Sequence, residues 1–146
     1  MFYRTAIIAL GVGLIFLIGC RTGEYRLDLK IYETMPGLLA ADPELAARLF
    51  KNEDGSIKVE FEKGEMFLYL ALGLDEDTRM QAASDAFEIF HEQYMNNPDN
   101  RKKDGTFWRE VIRLRGFVED TELYVLEWDL SEEKPTVKSN RYGFFI

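Results

Sequence analysis

The chain has 146 residues, 47% hydrophobic and 30% charged, which suits one domain with a buried core and excludes a disordered chain. Twenty-six acidic against 18 basic residues leave a formal net charge of −8, so the Lys/Arg surplus that displaces counterions from phosphate is missing and nucleic acid is not an expected partner. One Cys and one His exclude an intramolecular disulfide framework and the usual zinc sets, and neither metal nor cofactor is expected.

Arg4 is the only charge before Cys20, and residues 6–19 form an unbroken apolar run of 14 residues. As a helix that run spans about 21 Å, short of the ~30 Å hydrocarbon core, so it fits the h-region of a secretory signal better than a permanent span. Leu17-Ile18-Gly19-Cys20 follows directly. This tetrapeptide resembles the lipobox of bacterial lipoproteins, with an aliphatic residue three before the Cys and a small one next to it.

The resemblance covers residues 1–20 and implies that Cys20 is diacylated and becomes the first mature residue. Two acyl chains anchor stably, at roughly 0.8 kcal/mol per buried methylene. It also implies a bacterial cell envelope address and a membrane partner through the lipid on Cys20. Arg21 in place of Asp favours the outer membrane, facing periplasm or surface, where the host has one. Losing residues 1–19 removes only a basic charge. The body is then more acidic still, and is expected to stand off anionic head groups. The expected organisation is 1–19 signal peptide, 20–24 lipidated tether, and 25–146 one α+β domain.

Along that domain, residues 25–32 alternate, with Leu27, Leu29 and Ile31 on one side and Arg26, Asp28 and Lys30 on the other, which predicts a half-buried strand. Met35-Pro36-Gly37 ends it. Asp42-Pro43-Glu44 starts a helix reaching about Lys51. Asp54-Gly55 turns into an alternating strand over 56–62, and Lys63-Gly64 makes a tight hairpin into the apolar run 66–72. Met80, Ala83, Phe87, Phe90 and Tyr94 step by three and four, which predicts a helix over 78–95 with Asp75, Glu76 and Asp77 at its positive end. A polar loop over 96–105 carries the second Asp-Gly, 50 residues after the first. Strands over 107–118 and 123–130 follow, the first with a helix over 106–115 as its alternative. Residues 131–139 read as loop, and Tyr142 to Ile146 as an aromatic end. The expected fold is α+β, ferredoxin-like β-α-β-β-α-β with an additional C-terminal strand, an antiparallel sheet carrying two helices on one face. The echo between the halves is read as shared turn chemistry.

No catalytic constellation emerges. His91 sits on the margin of the apolar helical stripe without ligand or orienting spacing. Asp75, Glu76 and Asp77 read as helix capping. Glu60, Glu62 and Asp28 would share a sheet face among Lys58, Arg26 and Lys30, a solvated and charge-paired surface. Residues 66–72 are apolar on both faces, so a second face there needs covering, either by the chain or by a partner. Met66, Leu68, Leu70, Tyr142, Phe144 and Phe145 are therefore the candidate interaction surface. The expected function is a lipid-anchored binding or accessory module for another envelope component, with an enzymatic role left open but not favoured. The alternative is a small hydrolase or apolar-ligand carrier with a pocket under Trp108 and Trp128.

Overall fold

A computed structural model describes residues 23–140. Three helices and five strands follow one another as α1 (Gly23–Ala41), α2 (Pro43–Ala47), β1 (Val59–Glu62), β2 (Glu65–Tyr69), α3 (Glu76–Met95), β3 (Val111–Val118), β4 (Thr121–Asp129) and β5 (Thr136–Asn140), with a 3-10 turn at Pro98–Asn100. The strands form one sheet in the order β1-β2-β3-β4-β5. Neighbours are antiparallel except β2 and β3, which run parallel because α3 carries the chain back between them. The class is α+β as expected. The sheet is mixed rather than antiparallel, and the described residues open on helices where a strand is expected, so they do not reproduce the ferredoxin-like order.

The difference begins at residue 27. Leu27, Ile31, Met35 and Leu39 recur every fourth residue and are at most 3% exposed, one stripe of α1, while Leu29 is 42% exposed. Over eight residues a period of two and a period near four share Leu27 and Ile31, so alternation alone could not separate strand from helix. Pro36 lies inside α1 and removes a backbone donor, a cost of about 3 kcal/mol. Burying Met35 and Leu39 completely offsets it, at roughly 1.5–3 kcal/mol each.

Other elements fall where their start and turn signals put them. Asp42 caps α2, its carboxylate accepting from the Glu44 and Leu45 N–H groups, although the helix ends by Ala47. Asp75 caps α3 through the Thr78 N–H (2.7 Å), and Ala82, Ala83, Ala86, Phe87, Phe90 and Tyr94 bury its inner face. Lys63 and Gly64 turn the β1–β2 hairpin with φ of 46° and 77°. Residues 111–118 are strand, not helix, paired to β4 from Val111↔Asp129 to Val118↔Thr121. Strand β5 lies where the sequence reads as loop.

The echo between the halves extends to hydrogen bonding. Residues 50–58 and 100–108 share one backbone pattern: Asn52 N–H to Ser56 C=O matches Lys102 to Thr106, and Lys58 to Phe50 matches Trp108 to Asn100. Gly55 and Gly105 sit at φ of 87° and 88°, and each preceding Asp accepts from the hydroxyl and N–H of the residue after the glycine.

The helices cover one face of the sheet, closing the core over Met66, Leu68, Leu70, Ile112, Leu114, Leu126 and Trp128.

Candidate functional site

Two polar arrangements stand out, one inside and one on the sheet. The inner one begins with Asp28, 3% exposed on α1. Its carboxylate accepts from the Tyr94 hydroxyl of α3 (2.5 Å) and pairs with the Arg109 guanidinium. The Gly64 N–H of the β1–β2 turn donates to the Tyr32 hydroxyl (2.5 Å). Burial pushes both phenol pKa values up, so both hydroxyls stay protonated donors. Asn100, fully buried, donates to the Tyr94 carbonyl (3.2 Å) and accepts from the Arg109 N–H (3.3 Å). The network joins α1, α3, the first hairpin and the approach to β3 by hydrogen bonds and one ion pair. Its physical role is to fix their arrangement.

The outer arrangement is the sheet face away from the helices. Alternation along β2 puts Glu65, Phe67 and Tyr69 there, and the parallel register sets them beside Arg113, Arg115 and Phe117. Phe67 and Tyr69 stack on Phe117 at centroid distances of 6.2 and 5.2 Å. The Lys58 ammonium lies 4.2 Å from the Tyr69 ring centre and 5.9 Å from that of Phe50, which is 36% exposed. Tyr69 donates to Glu60 (3.3 Å), and burial with that carboxylate raises its pKa. Beside this aromatic row runs a ladder of ion pairs. Glu65 meets Arg115 (3.2 Å) and Arg113 (3.9 Å), Arg115 reaches Glu122 (3.3 Å), and Arg113 reaches Glu127 (2.8 Å), which Lys138 also approaches. Three carboxylates and three cations alternate across four strands, so the ladder helps hold the face in register and carries no net charge of its own. No described residue forms a second layer over it.

The residues singled out from sequence are placed as follows. Met66, Leu68 and Leu70 have no exposed area and lie under the helices, so they are core, not interaction surface; the solvent side of β2 is the other set, Phe67 and Tyr69. The apolar run of β2 is explained by aromatics that a sheet face tolerates half-buried among charges. That outward side was legible only once β3 was known to supply Phe117. Leu17, Ile18, Gly19, Cys20, Tyr142, Phe144 and Phe145 lie outside the described residues. Asp28 is on a helix and buried, apart from Glu60 and Glu62. Asp75 caps α3, and its bond from Thr78 holds its pKa below the ordinary value.

His91 stacks on Trp128, 3.7 Å between ring centres and 10° from parallel, and burial lowers its pKa. Trp128 is 5% exposed, edge-on to Phe87, with its N–H donated to the Glu132 carbonyl, whereas Trp108 is 48% exposed. The two indoles thus line no common pocket. A cleft of about 400 Å³ does open between Gly105, Thr106, Phe107, Glu110, Asp129 and Ser131, and His91 does not line it. Among the described residues no helix is long and apolar enough to cross a membrane, and no three Asp, Glu, His or Cys converge as for a metal ion. Compared with known proteins, the chain matches no family model, no curated relative and no solved structure.

Proposed function

We propose that this chain is a lipid-anchored accessory module of a bacterial envelope, held by acylation at Cys20, that docks another envelope protein on the open face of its sheet. The observation that carries the docking half is the row Phe50, Tyr69, Phe117 and Phe67. It sits on a rigid sheet, uncovered by any described residue, and is flanked by ordered Arg and Glu side chains. Protein interfaces favour aromatic and Arg side chains at their centres, where a rigid ring loses little entropy on binding. The anchor half rests on the lipobox-like tetrapeptide ending at Cys20.

Each half has its own test. Intact mass of the protein from its native envelope is expected to show residues 1–19 removed and acyl chains added at Cys20; retention of Met1 with a free thiol overturns the anchor. A photo-crosslinking amino acid at Phe117 is expected to give a discrete adduct to a second polypeptide. An adduct confined to residues 141–146 of the same chain shows the face to be covered internally and overturns the docking reading.

A further inference from the structure

The net charge of −8 is not spread evenly. Asp75, Glu76 and Asp77 stand at the start of α3, a helix of 20 residues and so about 30 Å long. Past its other end the chain turns basic, with Arg101, Lys102 and Lys103 in succession, all exposed. Tyr94 near that end meets Asp28 near the start of α1, so α1 begins where α3 finishes. Arg26 and Lys30 of α1 accordingly line one cleft with Arg101, Asn97, Pro98 and Asp99. Two elements distant in sequence thus place five cations on one end of the molecule. The carboxylates in the same two stretches are Glu24, Asp99 and Asp104, with Asp28 buried against Arg109, while Glu110 and Asp129 line the cleft beside Phe107; Asp104 accepts from the Thr106 N–H (3.0 Å) and hydroxyl (2.6 Å).

Aromatic rings accompany these cations. Arg101 lies 4.3 Å from the Phe107 ring centre, and Lys102 lies 5.2 Å from that of Trp108. An exposed indole beside lysines and arginines has an apolar body and a polar edge, the pairing that settles at the head-group level of a bilayer. Position in the chain agrees. Three peptide links, at most about 11 Å, separate Cys20 from Gly23 at the start of α1. An anchor at residue 20 therefore brings this end, and not the acidic one, to the bilayer.

We infer that the end formed by the first turns of α1 and the 97–108 loop is a membrane-docking surface for anionic phospholipid head groups. The body does not stand off the bilayer as its overall charge suggests, because surface attraction decays within a Debye length of about 8 Å and only the nearest charges act. The inference rests on the reading above only in that something near residue 20 holds the chain at the membrane.

The test uses the full chain from its native membrane, reconstituted into vesicles of phosphatidylcholine alone or with about 30 mol % phosphatidylglycerol. Acrylamide quenching of tryptophan fluorescence reads Trp108, because Trp128 is buried. Quenching is expected to fall on the anionic vesicles alone and to recover at about 0.5 M salt, where screening is strong. Lys102→Gln with Lys103→Gln is expected to lower the ratio of docked to undocked protein about 25-fold, at about fivefold per lysine. Unchanged circular dichroism checks its fold. Equal quenching on both vesicle types overturns the inference. Protection already present in neutral vesicles or detergent overturns it too, and assigns the patch to a second copy or to an uncharged surface. Intact mass of the same sample separates the two failures, since an apolar 6–19 segment retained in place of the lipid still holds the chain on the vesicle.

Discussion

Asp28 and Arg109 meet where α1, α3 and the approach to β3 converge, with side-chain exposures of 4% and 19%. Removing the carboxylate leaves a guanidinium and a tyrosine hydroxyl without their acceptor. Asp28→Ala is therefore expected to cost about 3 kcal/mol, the lower end for a broken buried pair because Arg109 keeps some solvent. Tyr94→Phe removes one bond to the same carboxylate and leaves the pair, for an expected loss of about 1.5–2 kcal/mol. Urea midpoints at unchanged slope measure both; losses under about 0.5 kcal/mol in each would show the network to be ornamental. His91 gives a pH dependence of known sign. Burial against Trp128 lowers its folded pKa below the ordinary 6.5, Glu92 opposing. The unfolded chain then binds the proton first as pH falls, so stability is full above about pH 6.5 and declines below it. Asp54, Asp75, Asp104 and Asp129, held below their ordinary 3.8 by turn and cap hydrogen bonds, add losses only near and below pH 4. His91→Phe keeps the stacking and is expected to flatten the urea midpoint between pH 5 and 7. A slope identical to that of the native chain would place the titration elsewhere.

At the level of elements, the two Asp-Gly turns make a controlled comparison. Gly55 and Gly105 have the same positive φ and open space where a side chain would go, so Gly55→Ala and Gly105→Ala are expected to cost alike, about 1–2 kcal/mol for the left-handed backbone. Gly64 also has positive φ, but its added carbon would lie 2.8 Å from the Arg109 Cδ and Nε, and Asp28 pins that side chain. Gly64→Ala is expected to cost at least about 1 kcal/mol more than the other two by thermal unfolding; equal losses would mean that Arg109 yields freely. These turns, the caps at Asp42 and Asp75, and the stripe of α3 were legible because each is written in neighbouring residues. Helix α1 was not, since Leu27 and Ile31 satisfy both periods and Met35-Pro36-Gly37 resembles a stop. What carries a helix through Pro36 is burial of Met35 and Leu39 against elements far along the chain. The open face escaped for the same reason: Phe67 and Tyr69 become a surface feature only when β3 brings Phe117 beside them in parallel register. Strand β5 is mostly exposed and polar, so its pairing to β4 has no hydrophobic signature.

Across the whole molecule, stability should decline outward from the sheet centre. Strands β2, β3 and β4 each carry fully buried residues, from Met66 and Leu68 through Ile112 and Leu114 to Tyr124, and hold one another by hydrogen bonds on both sides. Among the described residues strand β5 pairs on one side only, its pairing shifts register between Val125 and Leu126, and its burial comes from Val137 and Asn140 alone, both partial. It has too little buried area to open only with the rest. Hydrogen exchange is expected to show the amides of residues 136–140 opening with a smaller free energy than those of β3, with β1, the opposite edge, in between because Val59 and Phe61 pack on the core. Opening β5 frees Glu127 from Lys138 while its tighter partner Arg113 remains, so the ion-pair ladder and the aromatic row survive the event. The open face would therefore stay formed even in molecules with a frayed edge, as a docking surface requires. If β5 instead exchanges together with β3, with one free energy, the sheet is a single cooperative unit and its polar edge strand is held by something beyond the pairing to β4.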